Sequence, residues 1–186
     1  AAAELTERMS GRLEFGTAGI RGVLAAGPQR MNQLQVRHVT AGLAAYLAAE
    51  VPDAQRRGVV IGCDARHKSQ RFVEETAAVL LAAGFTVWLA DHPWPTPVTA
   101  YAVRAHGAAA GVMVTASHNP PEYNGYKVYW GNGAQIIPPI DGGIAAAIER
   151  AAAGPIAVAD LEAARASGQL RTMGAELEDA YVAAVL

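Results

Sequence analysis

The chain of 186 residues has a single cysteine, only 6% aromatic residues and only 17% charged ones. Each scarcity excludes something. Cys63 alone cannot close an internal disulfide, so no disulfide framework is available and a reducing compartment is the simpler setting. Fifteen basic against 17 acidic residues leave a net charge of −2, which gives no electrostatic footprint for nucleic acid or an anionic membrane. Trp88, Trp94 and Trp130 do not form a spaced platform for stacking bases. His38, His92 and His106 lack zinc-like spacing to Cys63, and neither a dinucleotide fingerprint nor a Walker loop is present. The most apolar stretch, residues 77–90, falls short of the roughly 20 residues of a membrane helix, and Gly84 interrupts it. Residues 1–12 mix charges with alanines and lack a signal-peptide core, so a cytoplasmic location is expected, with no membrane or nucleic acid as partner. The first residue is Ala1 rather than Met, which points to processing or trimming.

What is present is an apolar content of 52%, enough for one well-filled domain at this length. Its period switches repeatedly. Val36, Val39, Leu43 and Leu47 mark a helix that stops near Pro52, and residues 59–62 read as a short buried strand. A second helix runs from a capping Ser69 to Gly84, with Phe72, Val73, Thr76 and Leu80 inward, and a strand follows over 85–89. Thr96 as cap and Pro97 at the first helical position open a third helix, and 109–114 form the next strand. Residues 126–129 and 135–137 around Gly131-Asn132-Gly133 predict a hairpin that adds an antiparallel strand. From Asp141 onward the pattern is Ala-rich and helical. The class is α/β: a three-layer α/β/α domain with a mostly parallel mixed sheet of about four strands and a β-hairpin.

In such sheets ligands gather beyond the C-terminal strand ends. Three loops carry suitable chemistry. Residues 15–22 are glycine-rich around Thr17 and Arg21, a pattern in which backbone N–H groups and a guanidinium can approach an anion together. Residues 114–121 place the hydroxyl of Ser117 just past a buried strand. This loop lacks the flanking glycines of a nucleophile elbow, and His118 is too close in sequence to act as a triad base. Residues 123–127 lead from an Asn-Gly turn into a strand carrying Lys127. A lysine near a reacting hydroxyl can neutralise phosphoryl charge or move a proton. Asp64-Ala65-Arg66-His67-Lys68 fits a supporting role for these loops.

The order Gly16-Thr17-Ala18-Gly19-Ile20-Arg21-Gly22, Cys63-Asp64-Ala65-Arg66, Pro95-Thr96-Pro97, Thr115-Ala116-Ser117-His118-Asn119-Pro120, Asn124-Gly125-Tyr126-Lys127 and Gly133-Ala134-Gln135 resembles the first domain of the α-D-phosphohexomutases, the superfamily of phosphoglucomutases and phosphomannomutases. The similarity runs from about Leu13 to the end of the chain. The resemblance implies that Ser117 carries a phosphoryl group, that Lys127 or His118 handles the proton of the attacking sugar hydroxyl, and that Thr17, Arg21, Ser117 and Lys127 bind phosphate. It further implies conversion of hexose 1-phosphate to hexose 6-phosphate, with glucose or mannose as the sugar. A bisphosphate is the intermediate, hexose 1,6-bisphosphate the activator, and Mg²⁺ meets Ser117 through its phosphoryl group.

The family's metal loop, sugar-reading loop and distal phosphate loop have no counterpart in these residues, so the expectation is a single domain over 1–186 that partners other domains of a longer parent and is inactive alone. The alternative reading is a non-catalytic module that keeps the phosphate loops to bind a phosphosugar or a protein. Scattered Asp53, Asp64, Asp91, Asp141, Asp160 and Asp179 read as caps and solvated surface.

Overall fold

The computed structural model describes residues 2–186. In chain order the elements are α1 (Ala2–Met9), β1 (Ile20–Val23), α2 (Gln33–Glu50), α3 (Ala54–Arg57), β2 (Val59–Cys63), α4 (Ser69–Ala82) and β3 (Val87–Ala90). There follow α5 (Thr96–Ala105), β4 (Ala110–Val114), β5 (Tyr123–Trp130), α6 (Ile140–Ala151), α7 (Leu161–Ala166), β6 (Leu170–Met173) and α8 (Ala175–Val185). Strands β2 and β4 read Val-Val-Ile-Gly-Cys and Ala-Gly-Val-Met-Val and are buried at every position, as expected of strands covered on both faces. They lie side by side in a six-stranded sheet of order β1-β5-β4-β2-β3-β6.

Neighbours β4, β2, β3 and β6 are parallel, while β5 runs antiparallel to both β4 and β1. Helices α2, α4 and α6 cover one face, where Leu43, Phe72, Tyr126 and Ile144 interlock. Helices α5 and α8 cover part of the other, over Val60, Val98, Met113 and Leu177. The architecture is therefore three-layered α/β/α with a mostly parallel mixed sheet. Cys63 closes β2 and is buried; burial, with the adjacent Asp64 charge, pushes its thiol up to about 11. Among the described residues no helix is long and apolar enough to cross a membrane.

Several expectations need correction. The sheet has six strands rather than about four plus a hairpin. Residues 20–23 belong to a strand: Gly16 and Gly19 exchange backbone hydrogen bonds in a tight turn, and β1 then pairs along β5 from Ile20↔Tyr126 to Val23↔Tyr123. At Gly19 φ is +78°, and a Cβ there would lie 2.0 Å from the Tyr126 carbonyl oxygen, so the turn requires glycine. The hairpin shrinks to one bridge, Tyr129↔Gln135, after the turn at Gly133. Ser69 does not cap α4. Lys68 occupies the cap, and the Ser69 hydroxyl donates instead to Asp64 Oδ1 at 2.9 Å. Pro95, not Thr96, is the cap of α5.

Candidate functional site

Strands β2 and β4 end level with each other, Cys63 opposite Val114, so the residues that follow them meet. Thr115 donates its hydroxyl proton to Asp64 Oδ2 at 2.5 Å and accepts from the Ser117 backbone N–H at 2.8 Å. The other Asp64 oxygen, Oδ1, accepts from Ser69 Oγ and from the Arg66 N–H. The Arg66 guanidinium then gathers the loop, donating to the carbonyl oxygens of Ser117 (2.7 Å), Asn119 (2.6 Å), Pro120 (2.9 Å) and Tyr123 (3.2 Å). An ion pair to Asp64 at 3.3 Å fixes the guanidinium from behind. The supporting role expected of residues 64–68 takes this form. Five acceptors on one planar fork hold the chain where hydrogen bonds of a sheet have run out.

Held in this way, Ser117 has φ of +58°, a left-handed backbone that costs a residue with a Cβ on the order of 1 kcal/mol. The residue is exposed beyond the C-terminal end of β4. His118 beside it is exposed and makes no hydrogen bond among the described residues.

On β5, Asn124 is fully buried, donating to the His67 carbonyl and to Ser69 Oγ, and ties this strand to the same network. Gly125 follows because there is no room for more: a Cβ would stand 2.7 Å from the carbonyl oxygens of Ile20 and Thr115 and 2.9 Å from Arg21 Cγ. Arg21 lies opposite Gly125 in the register, and Lys127 lies two residues along on the same face. Arg21 Nη1 reaches Asn119 Oδ1 at 3.4 Å, which joins the glycine turn to the Ser117 loop, while its Nε is buried without an acceptor. Lys127 is half-buried, and its ammonium is driven below the usual lysine range, first by burial and then by the Arg21 charge, with Asp64 opposing.

Arg21 and Lys127 therefore share one face of β1 and β5, and Arg21 reaches the loop that carries Ser117 and His118. Thr17 does not join them. Its hydroxyl donates to Asp141 Oδ2 at 2.7 Å and its carbonyl accepts from Gln135 Nε2, which anchors the glycine turn to the start of α6. Thr115 and Asn124 were not among the residues singled out for the site, and Arg66 was expected only in a supporting role. The signal that marks them is topological, a Thr and an Asp ending adjacent strands.

For a divalent cation, a phosphoryl group on Ser117 would offer oxygen ligands, yet Asp64, the carboxylate of this network, has both oxygens engaged. Among the described residues no group of three His, Cys, Asp or Glu side chains could hold a metal. The described residues do not complete a Mg²⁺ shell.

A family model described as "Phosphoglucomutase/phosphomannomutase, alpha/beta/alpha domain I" matches residues 12–154. The "Probable phosphoribomutase" of Schizosaccharomyces pombe is 55% identical over 148 residues, covering 80% of this chain and 25% of that protein. The "Glucose 1,6-bisphosphate synthase" of Mus musculus is 47% identical over 152 residues, covering 78% and 24%. A crystal structure of a phosphoglucomutase/phosphomannomutase family protein from Burkholderia thailandensis superposes with a TM-score of 0.66 at 26% identity, over 90% of this chain and 34% of its own. The chain thus spans about a quarter of the length of the curated relatives it matches.

Proposed function

The chain belongs to the phosphoglucomutase/phosphomannomutase family, a family of phosphotransfer enzymes, and we propose that it is the phosphoryl-carrying domain of a sugar-phosphate mutase with Ser117 as the carrier. One observation carries the reading: an exposed serine on a left-handed backbone, strapped in place from below by Arg66 and Asp64, in a loop reached by Arg21 from a face that also carries Lys127, two cationic side chains with no ion-pair partner among the described residues. Phosphoryl transfer demands positioning and neutralisation of spread negative charge rather than covalent help, and this edge supplies both.

In the proposed step a hydroxyl oxygen of the bound sugar phosphate attacks phosphorus, a new P–O bond forms, and the bond to Ser117 Oγ breaks. Lys127 accepts the hydroxyl proton; its lowered proton affinity gives a larger neutral fraction than an exposed lysine has. His118 is the second choice for that proton. Arg21, whose charge has no ion-pair partner among the described residues, draws the phosphoryl oxygens. The bisphosphate then reorients and returns its other phosphoryl group to Ser117 Oγ. The family resemblance implies a hexose, glucose or mannose. The names of the relatives place ribose beside glucose, so we assign the substrate class as aldose phosphates of five or six carbons. Mg²⁺ and the sugar-reading groups are assigned to other domains of a longer parent, and a cytoplasmic location is part of the same reading.

Intact-mass measurement on the longer parent, after incubation with glucose 1,6-bisphosphate or ribose 1,5-bisphosphate, tests this reading. One phosphoryl group is expected on Ser117 and none on the Ser117→Ala variant, whose turnover falls to almost nothing. A parent that stays unmodified with both bisphosphates would instead be the binding module. The 186 residues alone should not convert glucose 1-phosphate or ribose 1-phosphate.

A further inference from the structure

On the face of the sheet turned away from Lys127, the first turns of α2 and α4 border a cavity of about 820 Å³. This is the size of a small-molecule site, and neither Ser117, Arg21 nor Lys127 lines it. Leu24, Met31, Leu34 and Phe72 form apolar walls, and Leu34 is 58% exposed, a large side chain left uncovered. The polar lining is of one sign. Arg12 and Lys68 border the cavity, neither belongs to an ion pair among the described residues, and no Asp or Glu lines it.

One further feature acts in the same direction, and a second offers a hydrogen-bonding ring. Helices of 18 and 14 residues turn their positive ends here. His38 lines the cavity with only 9% of its surface exposed, and its Nδ1 has no hydrogen-bond partner among the described residues. The wall is also built in advance. The Asn32 side-chain amide donates to the carbonyls of Ala25, Gly27 and Arg30 while its oxygen caps α2 at Gln35, and Gln35 Nε2 holds the Pro28 carbonyl.

We propose that this cavity binds a small amphipathic anion. Its carboxylate, sulfonate or phosphate head meets Arg12, Lys68, His38 and the free N–H groups at the start of α2. Its aromatic or branched apolar body lies against Leu24, Met31 and Phe72. A sugar phosphate has the head but not the body, so the site is separate from the phosphoryl-transfer edge and does not depend on the reading of Ser117.

Anilinonaphthalene sulfonate is a suitable probe, titrated into the 186-residue chain and followed by fluorescence and by methyl NMR. Saturable binding at one site is expected, with shifts at Leu24, Met31 and Leu34. The exposed-charge double variant Arg12→Glu/Lys68→Glu should weaken it about tenfold or more, as should loss of the sulfonate in N-phenylnaphthylamine. Binding indifferent to both changes, or shifts confined to other methyl groups, would overturn the proposal. So would a longer parent chain in which these methyls are masked and the probe no longer binds, since the cavity would then be a seam between domains.

Discussion

The two faces of the sheet are covered unequally, and the cationic pair Arg21 and Lys127 lies on the poorer-covered one. Helices α2, α4 and α6 span one face, so that Tyr126, halfway along β5, is fully buried with its hydroxyl 3.1 Å from Thr40 Oγ1. On the other face α5 lies over β2 and β4 and reaches only the margin of β5, so that Arg21 and Lys127 remain half-buried. Neighbouring residues of one strand therefore meet opposite fates: Tyr126 is core, Lys127 is a charged group at an open edge. The difference shows how the fold separates tasks. Cohesion comes from one layer, and the other is left thin where a ligand must enter.

Substitutions can break this contrast. The largest effect is expected at Leu43, whose truncation to Ala opens a void in the covered face and should cost about 2–5 kcal/mol, whereas Lys127→Ala should stay within about 0.5 kcal/mol; urea midpoints of both variants measure it. Equal losses would erase the distinction. Next comes Arg66→Ala. Stranding the carbonyls of Ser117, Asn119, Pro120 and Tyr123 should cost about 1–3 kcal/mol and speed amide exchange at Asn119 and Tyr123, with Arg66→Lys intermediate because an ammonium cannot span that set. The smallest effect is a pH slope. Lys127 binds its proton more weakly folded than unfolded, so the unfolded state holds more protons between the lowered value and the ordinary lysine range. Stability from this group rises with pH through that window and is lost as pH falls below it. Lys127→Met should flatten that segment of the stability profile, and an unchanged slope in chemical denaturation would count against it.

The succession β2, α4, β3, α5, β4 was legible because each element announces itself locally, by a buried apolar run or a helical stripe ended by glycine. Strands β1 and β6 were not. Ile20–Val23 is four residues among glycines, and it is a strand only because β5, a hundred positions later, offers it a partner. Leu170–Met173 keeps Arg171 and Thr172 exposed at the sheet edge and pairs with β3, so no alternation betrays it. At the site, the motif residues Ser117, Arg21 and Lys127 were legible as types, and the structure sets Arg21 and Lys127 on one face with Arg21 reaching the Ser117 loop. Arg66 as a clamp on carbonyls was not, because backbone acceptors leave no trace in side-chain identity. Ser69 shows the reverse failure: its helix-start position suits a cap, but Asp64 competes for the hydroxyl and wins.

Cys63 sits at the end of β2, one residue before the Asp64 that steadies the Ser117 loop, yet its thiol is inaccessible and has little thiolate character at neutral pH. These 186 residues are thus, in effect, blank to maleimides. A cysteine introduced at exposed His118 would take a spin label or fluorophore alone, so the loop's motion can be followed without first stripping the native sulfur from the sheet.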